Sequence, residues 1–476
     1  MTEVLLYVLG ILIFVVGLAV SIGLHEIGHL VPAKLFGVKV TQYMLGFGRT
    51  IWSKRRGETE YGVKMIPLGG YVAMTGMYPP KPGEAPRAST TGFLNTVVQE
   101  GTPRGASSAV ATADDLEQGE APERKRGVVG MVEDARLASA QSIAAGEDHR
   151  TFYRLPPWKK IIIMLGGPIM NLVLAFVFFA IVLVGFGVPQ NSTTLGQVSE
   201  CLVPASSTAT QCGTGDPAAP AAAAGLRPGD RILSVDGTKI ASWEQFRTLV
   251  AKSPDDALSV RIERDGGEQT VDLTPVENAR AVTDAVGKVV TNADGSVRTE
   301  VVGMIGATPA SENVRQPITE VPAFVGENVK SVAGIIVRLP QRMVDVWNAA
   351  FGSEARDPNG PISVVGVGRM AGEIASLEDA PVAARAQTMI GLVGSLNVAL
   401  FVFNLVPLMP LDGGHIIGAL YEWLKRGFAR LRGKPDPGPI DTAKMVPITM
   451  AVAIVLGAMT VLLVYADIVK PVSLFG

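Results

Sequence analysis

The stretch VLLYVLGILIFVVGLAVSIGLHEIGHL, residues 4–30, decides the fold. Val4 to Leu24 is an uninterrupted apolar run, long enough at 1.5 Å rise per residue to cross the hydrocarbon layer. It runs straight into His25-Glu26-Ile27-Gly28-His29. On a helix the two imidazoles stand one turn apart on one face, where they can share a zinc ion. Glu26 between them is placed to deprotonate a metal-bound water. Ionisable groups at membrane depth are costly and by default mark function. The pattern points to metal-assisted peptide hydrolysis inside a membrane.

The chain has only four histidines, His25, His29, His149 and His415, so this pairing is not expected from chance. Glu3 and the absence of Lys or Arg before the apolar run argue against a cleaved leader, and the segment is expected to stay in the mature protein. Across 476 residues, 47% are hydrophobic and 18% charged, which suits a membrane protein with sizeable soluble parts. The net charge of −2 gives no sign of a nucleic-acid partner.

Four segments can span: Val4–Leu24 within residues 1–36, Ile161–Val188 within 156–188, Met389–Met409 within 388–415, and Val446–Val469 within 445–470. The expected fold class is an α-helical polytopic membrane protein. Gly166, Gly167 and Asn171 interrupt the second span, and Asn397, Asn404 and Pro407 the third, as befits helix contacts or a polar interior. Lys34, Lys54, Arg55 and Arg56, Lys159 and Lys160, and Lys425, Arg426, Arg430, Arg432 and Lys434 flank the spans on one side, which should be cytoplasmic. Residues 416–444 then read as a cytoplasmic basic loop, and Pro189 to Gln387 lies outside.

Residues 37–77 alternate apolar and polar positions, with Gly46-Phe47-Gly48 and Leu68-Gly69-Gly70-Tyr71 as turn punctuation. We read them as a membrane-reentrant β-hairpin region, with Gly69, Gly70 and Tyr71 placed to meet an extended substrate. Residues 78–150 read as a flexible insertion, with a helix around 130–145, and His149 at its end is not expected to be a ligand. Residues 325–385 carry apolar positions at helical spacing interrupted by charge, as in helices lying along a membrane surface.

Ala221 to Gly237 reads AAAAGLRPGDRILSVDG, a turn, a strand and a tight Asp-Gly hairpin. Trp243–Ala251 follows as an amphipathic helix, and Leu258–Arg264 and Glu268–Leu273 as a second hairpin. These residues resemble a PDZ domain of the bacterial protease-associated type over 192–309. Cys201 and Cys212, the only cysteines, fall there and are expected to pair in an oxidising compartment.

A catalytic zinc takes three protein ligands. The third is sought in Asn404-Leu405-Val406-Pro407-Leu408-Met409-Pro410-Leu411-Asp412-Gly413-Gly414-His415, where two prolines and two glycines unwind the backbone. Asp412 is favoured, because zinc gives a reason to bury one aspartate; His415 is the competitor.

The histidine pair in the first span, Gly167-Pro168 with Asn171 in the second, and Asn404 to Gly414 in the third together resemble the site-2 protease family, in its bacterial regulatory branch with one PDZ domain. The resemblance implies Zn2+ held by His25, His29 and Asp412, Glu26 as general base, and Asn404 holding substrate. It implies cleavage of transmembrane segments of proteins such as anti-sigma factors, and of remnant signal peptides, after an upstream site-1-type protease has trimmed them. It also implies a multi-pass protein of the cell membrane with the PDZ domain outside and the site near the cytoplasmic face. The alternative from another class is a non-catalytic PDZ scaffold with a structural metal.

Overall fold

The computed structural model describes residues 2–79, 88–90, 148–202, 212, 218–282, 290, 298–353, 356–357 and 360–472. The chain divides into two units, 1–182 with 317–476, and 183–316. The helix expected around 130–145 lies outside the described residues.

Four helical segments of the first unit are long and apolar enough to cross a membrane: Thr2–Leu35, Pro157–Phe186, Val382–Asn404 and Thr442–Val469. The first is a single helix, α1 (Thr2–Leu35), which continues past Pro32. The second is α2 (Pro157–Ala180), continued by a wider turn over Ile181–Phe186. Glycines bring α1 and α2 together: the backbones of Gly28 and Gly166 leave no room for a Cβ on either. Small residues of this kind let helices pack backbone to backbone where lipid supplies no hydrophobic drive.

Between them, β1 (Val40–Arg56) and β2 (Thr59–Thr75) pair antiparallel, and β3 (Ala88–Thr90) adds to β2. Leu45 stands opposite both Val63 and Gly70, so β2 bends around β1. The bends fall at Gly46 and Gly48, with φ of +86° and +84°, and at Gly69, with φ of +133°. Only glycine adopts such angles freely. Arg150 donates two hydrogen bonds, of 2.8 and 2.7 Å, to Glu58 at the hairpin turn, and they hold the Glu58 carboxyl below the usual carboxylate range.

The second unit is built on a sheet ordered β11-β4-β5-β7-β8, with β4 Val188–Val198, β5 Arg231–Val235, β7 Leu258–Arg264, β8 Gly267–Leu273 and β11 Ala307–Val314. The short strand β6 (Thr238–Lys239) pairs with β5 across a turn in which Asp236 and Gly237 have φ of +47° and +79°. A separate pair joins β9 (Val276–Ala281) to β10 (Thr299–Met304). The core holds Leu195, Ile232, Val260, Ile262, Leu273 and Phe246. Phe246 comes from α4 (Trp243–Lys252), which follows the one-turn helix α3 (Pro220–Ala223). Cys201 and Cys212 form a disulfide. Asp230 is buried and ties this unit together: Arg264 donates to it twice at 2.7 Å, and the Arg227 amide once at 2.7 Å.

After this unit the chain departs from expectation in three places. The amphipathic stretch is two helices, α5 (Val321–Val337) and α6 (Leu339–Phe351), broken at Arg338 just ahead of Pro340, which supplies no amide hydrogen; α7 (Val364–Ser376) follows. The third span, α8 (Val382–Asn404), ends at Asn404, and Pro407 and Pro410 prevent its continuation. Much of the expected basic loop is instead a helix, α9 (Asp412–Leu431), ahead of the last span helix α10 (Val446–Val469).

Candidate active site

His25, Glu26 and His29 are buried on α1. Asp412, also buried, is the first residue of α9. The His25 and His29 Nε2 atoms are 3.2 Å apart, and Asp412 Oδ2 is 3.4 and 3.3 Å from them. Donors about 2.05 Å from one zinc at tetrahedral angles stand roughly 3.3 Å from each other. The residues therefore fit such an ion. Asp412 Oδ2 is moreover buried with no hydrogen-bond partner among the described residues. A lone carboxylate oxygen is costly to bury unless something positive meets it.

Helix α2 orients both imidazoles. His29 Nδ1 donates to the Ile163 carbonyl at 2.7 Å, so its proton sits on Nδ1 and the Nε2 lone pair faces the cluster. Asn171 Nδ2 lies 3.0 Å from His25 Nδ1; with that side-chain amide turned over, its Oδ1 accepts from Nδ1 and the His25 Nε2 lone pair likewise faces the cluster. Gly167 faces the two Nε2 atoms, and a Cβ there would collide with both rings. The metal position is thus open only because residue 167 has no side chain.

The turn that delivers Asp412 is equally tight. Side chains at Gly413 or Gly414 would strike the backbone of Leu405 to Met409. The Gly414 amide donates to the Leu411 carbonyl, and the Leu411 amide to that of Leu408. Further along α9, Glu422 and Lys160 of α2 form a buried ion pair at 2.7 Å, and Arg426 reaches the other Glu422 oxygen at 2.9 Å. This pair fastens the Asp412 helix to the helix that orients the histidines.

Glu26 lies between the two histidines in sequence, and its Oε2 is buried without a hydrogen-bond partner among the described residues. β2 passes beside it: a Cβ on Gly70 would lie 3.0 Å from Glu26 Cγ. Its neighbours Gly69 and Tyr71 pack within the sheet. Gly69 abuts the Phe47 ring, and Tyr71 is buried, its hydroxyl donating to Gln42 Oε1 at 3.1 Å. Asn404, half-buried, closes α8. Ile163 and the Lys160–Glu422 pair carry no signal in the sequence for this site. Gly167 and Asn171 stand out there as breaks in a span and as part of the family pattern.

Donors of this type and spacing, buried among helices that can span a bilayer, are those of a metalloprotease working within the membrane. Residues 13–435 match the model of Peptidase family M50, and the chain belongs to that family, the site-2 proteases. It is similar to the zinc metalloprotease Rip1 of Mycolicibacterium smegmatis, 29% identical over 99% of this chain and 100% of the relative. Rip1 of Mycobacterium tuberculosis is 28% identical over the same shares. The metalloprotease MmpA of Caulobacter vibrioides is 28% identical over 86% of this chain and 85% of its own. The chain is accordingly an intramembrane zinc metalloprotease that acts on membrane-protein substrates.

Proposed function

We propose that His25, His29 and Asp412 hold the zinc ion and that Glu26 is the general base for cleavage of transmembrane segments. The observation that carries this reading is the mutual spacing of the three donor atoms, 3.2 to 3.4 Å, with a buried carboxylate one residue from His25. Zinc, when bound, supplies Lewis-acid polarisation of the peptide carbonyl and acidifies a coordinated water. Glu26 takes the proton released at attack and returns it to the leaving nitrogen. Ile163 and Asn171 keep the imidazoles in register. A helical substrate hides its carbonyls and must unwind first, and the Gly69–Tyr71 stretch of β2, with Asn404, would hold it extended.

The substrates in this reading are membrane proteins such as anti-sigma factors, and remnant signal peptides, trimmed beforehand by a site-1-type protease. The unit 183–316 is then a PDZ domain outside the cell membrane, with the site towards the cytoplasm. A cleft of about 470 Å3 between α4 and Val302–Pro309 supports a peptide-binding role for it. The test is the Glu26→Gln protein, purified and assayed for bound zinc and for cleavage of a model transmembrane peptide. Near-stoichiometric zinc with no cleavage is expected; substantial cleavage would remove Glu26 from the mechanism.

A further inference from the structure

Helix α9 carries a surface that the peptidase chemistry does not use. Its inner face, Ala419 and Glu422, is buried. On a separate stripe, Ile417, the adjacent Leu420 and Tyr421, Leu424, Phe428 and Leu431 fall within one arc of the helix at 3.6 residues per turn, and all are exposed, Leu431 at 85%. Between Ile416 and Lys434 the chain carries Lys425, Arg426, Arg430, Arg432 and Lys434 against Glu422 alone. Arg426 is committed to Glu422, which leaves the other four cations beside the apolar stripe.

A second, independent observation gives the level of this helix relative to the spans. The Glu422 carboxylate is clasped by Lys160 in the first turn of α2, a span helix. Next to Lys160, Trp158 is half exposed and packs edge-on against Phe36 at 5.6 Å, and Lys159 Nζ lies 5.1 Å from the Phe36 ring and 5.5 Å from that of Trp158. Trp and Lys gathered at the end of a span mark the boundary between hydrocarbon and headgroups. The ion pair therefore holds the middle of α9 at that boundary.

We infer that α9 lies in the plane of the membrane, its Ile417–Leu431 stripe among the acyl chains and Lys425, Arg430, Arg432 and Lys434 on anionic phospholipid headgroups. An apolar stripe bordered by cations is the composition that binds such a surface. A protein-binding groove would have no use for four cations along its rim unless the partner were equally acidic. The inference rests on the site reading only in that Asp412 opens the helix; the experiment reads the helix itself, whether or not metal binds.

Because Cys201 and Cys212 are joined, a cysteine introduced on α9 is the one free thiol for a spin label. The full chain carrying Leu424→Cys, Phe428→Cys or Lys425→Cys is reconstituted in vesicles of phosphatidylcholine alone, or with phosphatidylglycerol added. Accessibility to oxygen and to a water-soluble nickel chelate is then compared. Labels at positions 424 and 428 should sit in lipid, and that at 425 in water, with immersion severalfold greater in the anionic vesicles. Charge reversal by Lys425→Glu, Arg430→Glu and Arg432→Glu, read from the label at 424, should abolish that difference. Elution volume and circular dichroism establish that each variant is folded. Water exposure of position 424 in both vesicles overturns the inference, as does equal immersion with and without phosphatidylglycerol. Spin–spin coupling between copies at position 428, independent of lipid, would overturn it in favour of a self-association face.

Discussion

The Gly28 carbonyl of α1 and the backbone of Gly166 in α2 touch so closely that neither residue can carry a side chain. One residue on, Gly167 faces the two histidine Nε2 atoms. Helix packing and metal access thus depend on one short run of glycines. Gly166→Ala or Gly167→Ala should lower both bound zinc and cleavage, through an overpacking cost of about 1–3 kcal/mol that shifts the helices. Gly457→Ala, where nothing lies within 4 Å, should leave both unchanged. Normal zinc content in Gly167→Ala would refute the account.

Asn171 should act on metal affinity through the His25 ring. Asn171→Leu removes the polar partner 3.0 Å from Nδ1 and should weaken zinc binding roughly 10–100-fold, as for other groups that orient a metal-bound histidine. Chelator competition measures it, and unaltered affinity would show that packing alone holds the ring.

The third ligand is open to a direct comparison. Asp412→Ala should lose tight zinc and activity together, whereas His415→Ala should keep most of each. Metal analysis and peptide cleavage on the two proteins decide it, and the reverse pattern would exchange their roles.

Lys160→Met would leave Glu422 with only Arg426 as a counter-charge in a buried setting. It should destabilise the fold by about 3 kcal/mol, as expected when a buried pair is broken from one side. Lys160→Met combined with Glu422→Leu should recover much of that loss. Thermal unfolding in detergent gives the coupling, and additive losses would show that the pair does not fasten α9.

The unit 183–316 should weaken in acid. Burial alone would raise the Asp230 carboxyl, but the Arg264 and Arg227 hydrogen bonds outweigh it and hold the group below the usual carboxylate range. A carboxyl so depressed stabilises the fold above its unfolded pKa, and that contribution is lost as pH falls through the folded value. Hydrogen exchange at Ile232 and Val260 in the full chain, corrected for intrinsic rate, should quicken between neutral pH and pH of about 3. Asp230→Asn should be less protected at neutral pH and should flatten that dependence.

Local spacing made much of this protein legible. A spacing of four positions from His25 to His29 puts both rings on one helix face, and long apolar runs with basic flanks announce the spans, because both properties follow from helix geometry and solvation. The Asp236-Gly237 turn and the β7–β8 hairpin were equally local. The ends of elements were less so: α8 stops at Asn404, and α9 arises where only a basic loop was expected, because its charges obscured an apolar stripe that Ile417, Leu424 and Leu431 share.

What the sequence by itself determined is therefore the chemistry on offer: two imidazoles, a carboxylate between them, and an aspartate in a Pro- and Gly-rich turn. Only the tertiary structure decided how these groups meet. Asp412 reaches the histidines because the Leu405–Leu411 turn folds back tightly, and because Lys160 and Glu422, distant in the chain, neutralise each other where water is excluded. Ile163 and Asn171 support the rings because Gly28 and Gly166 let α1 and α2 approach. Such contacts depend on the close packing of separate helices, and no periodicity within one segment encodes them.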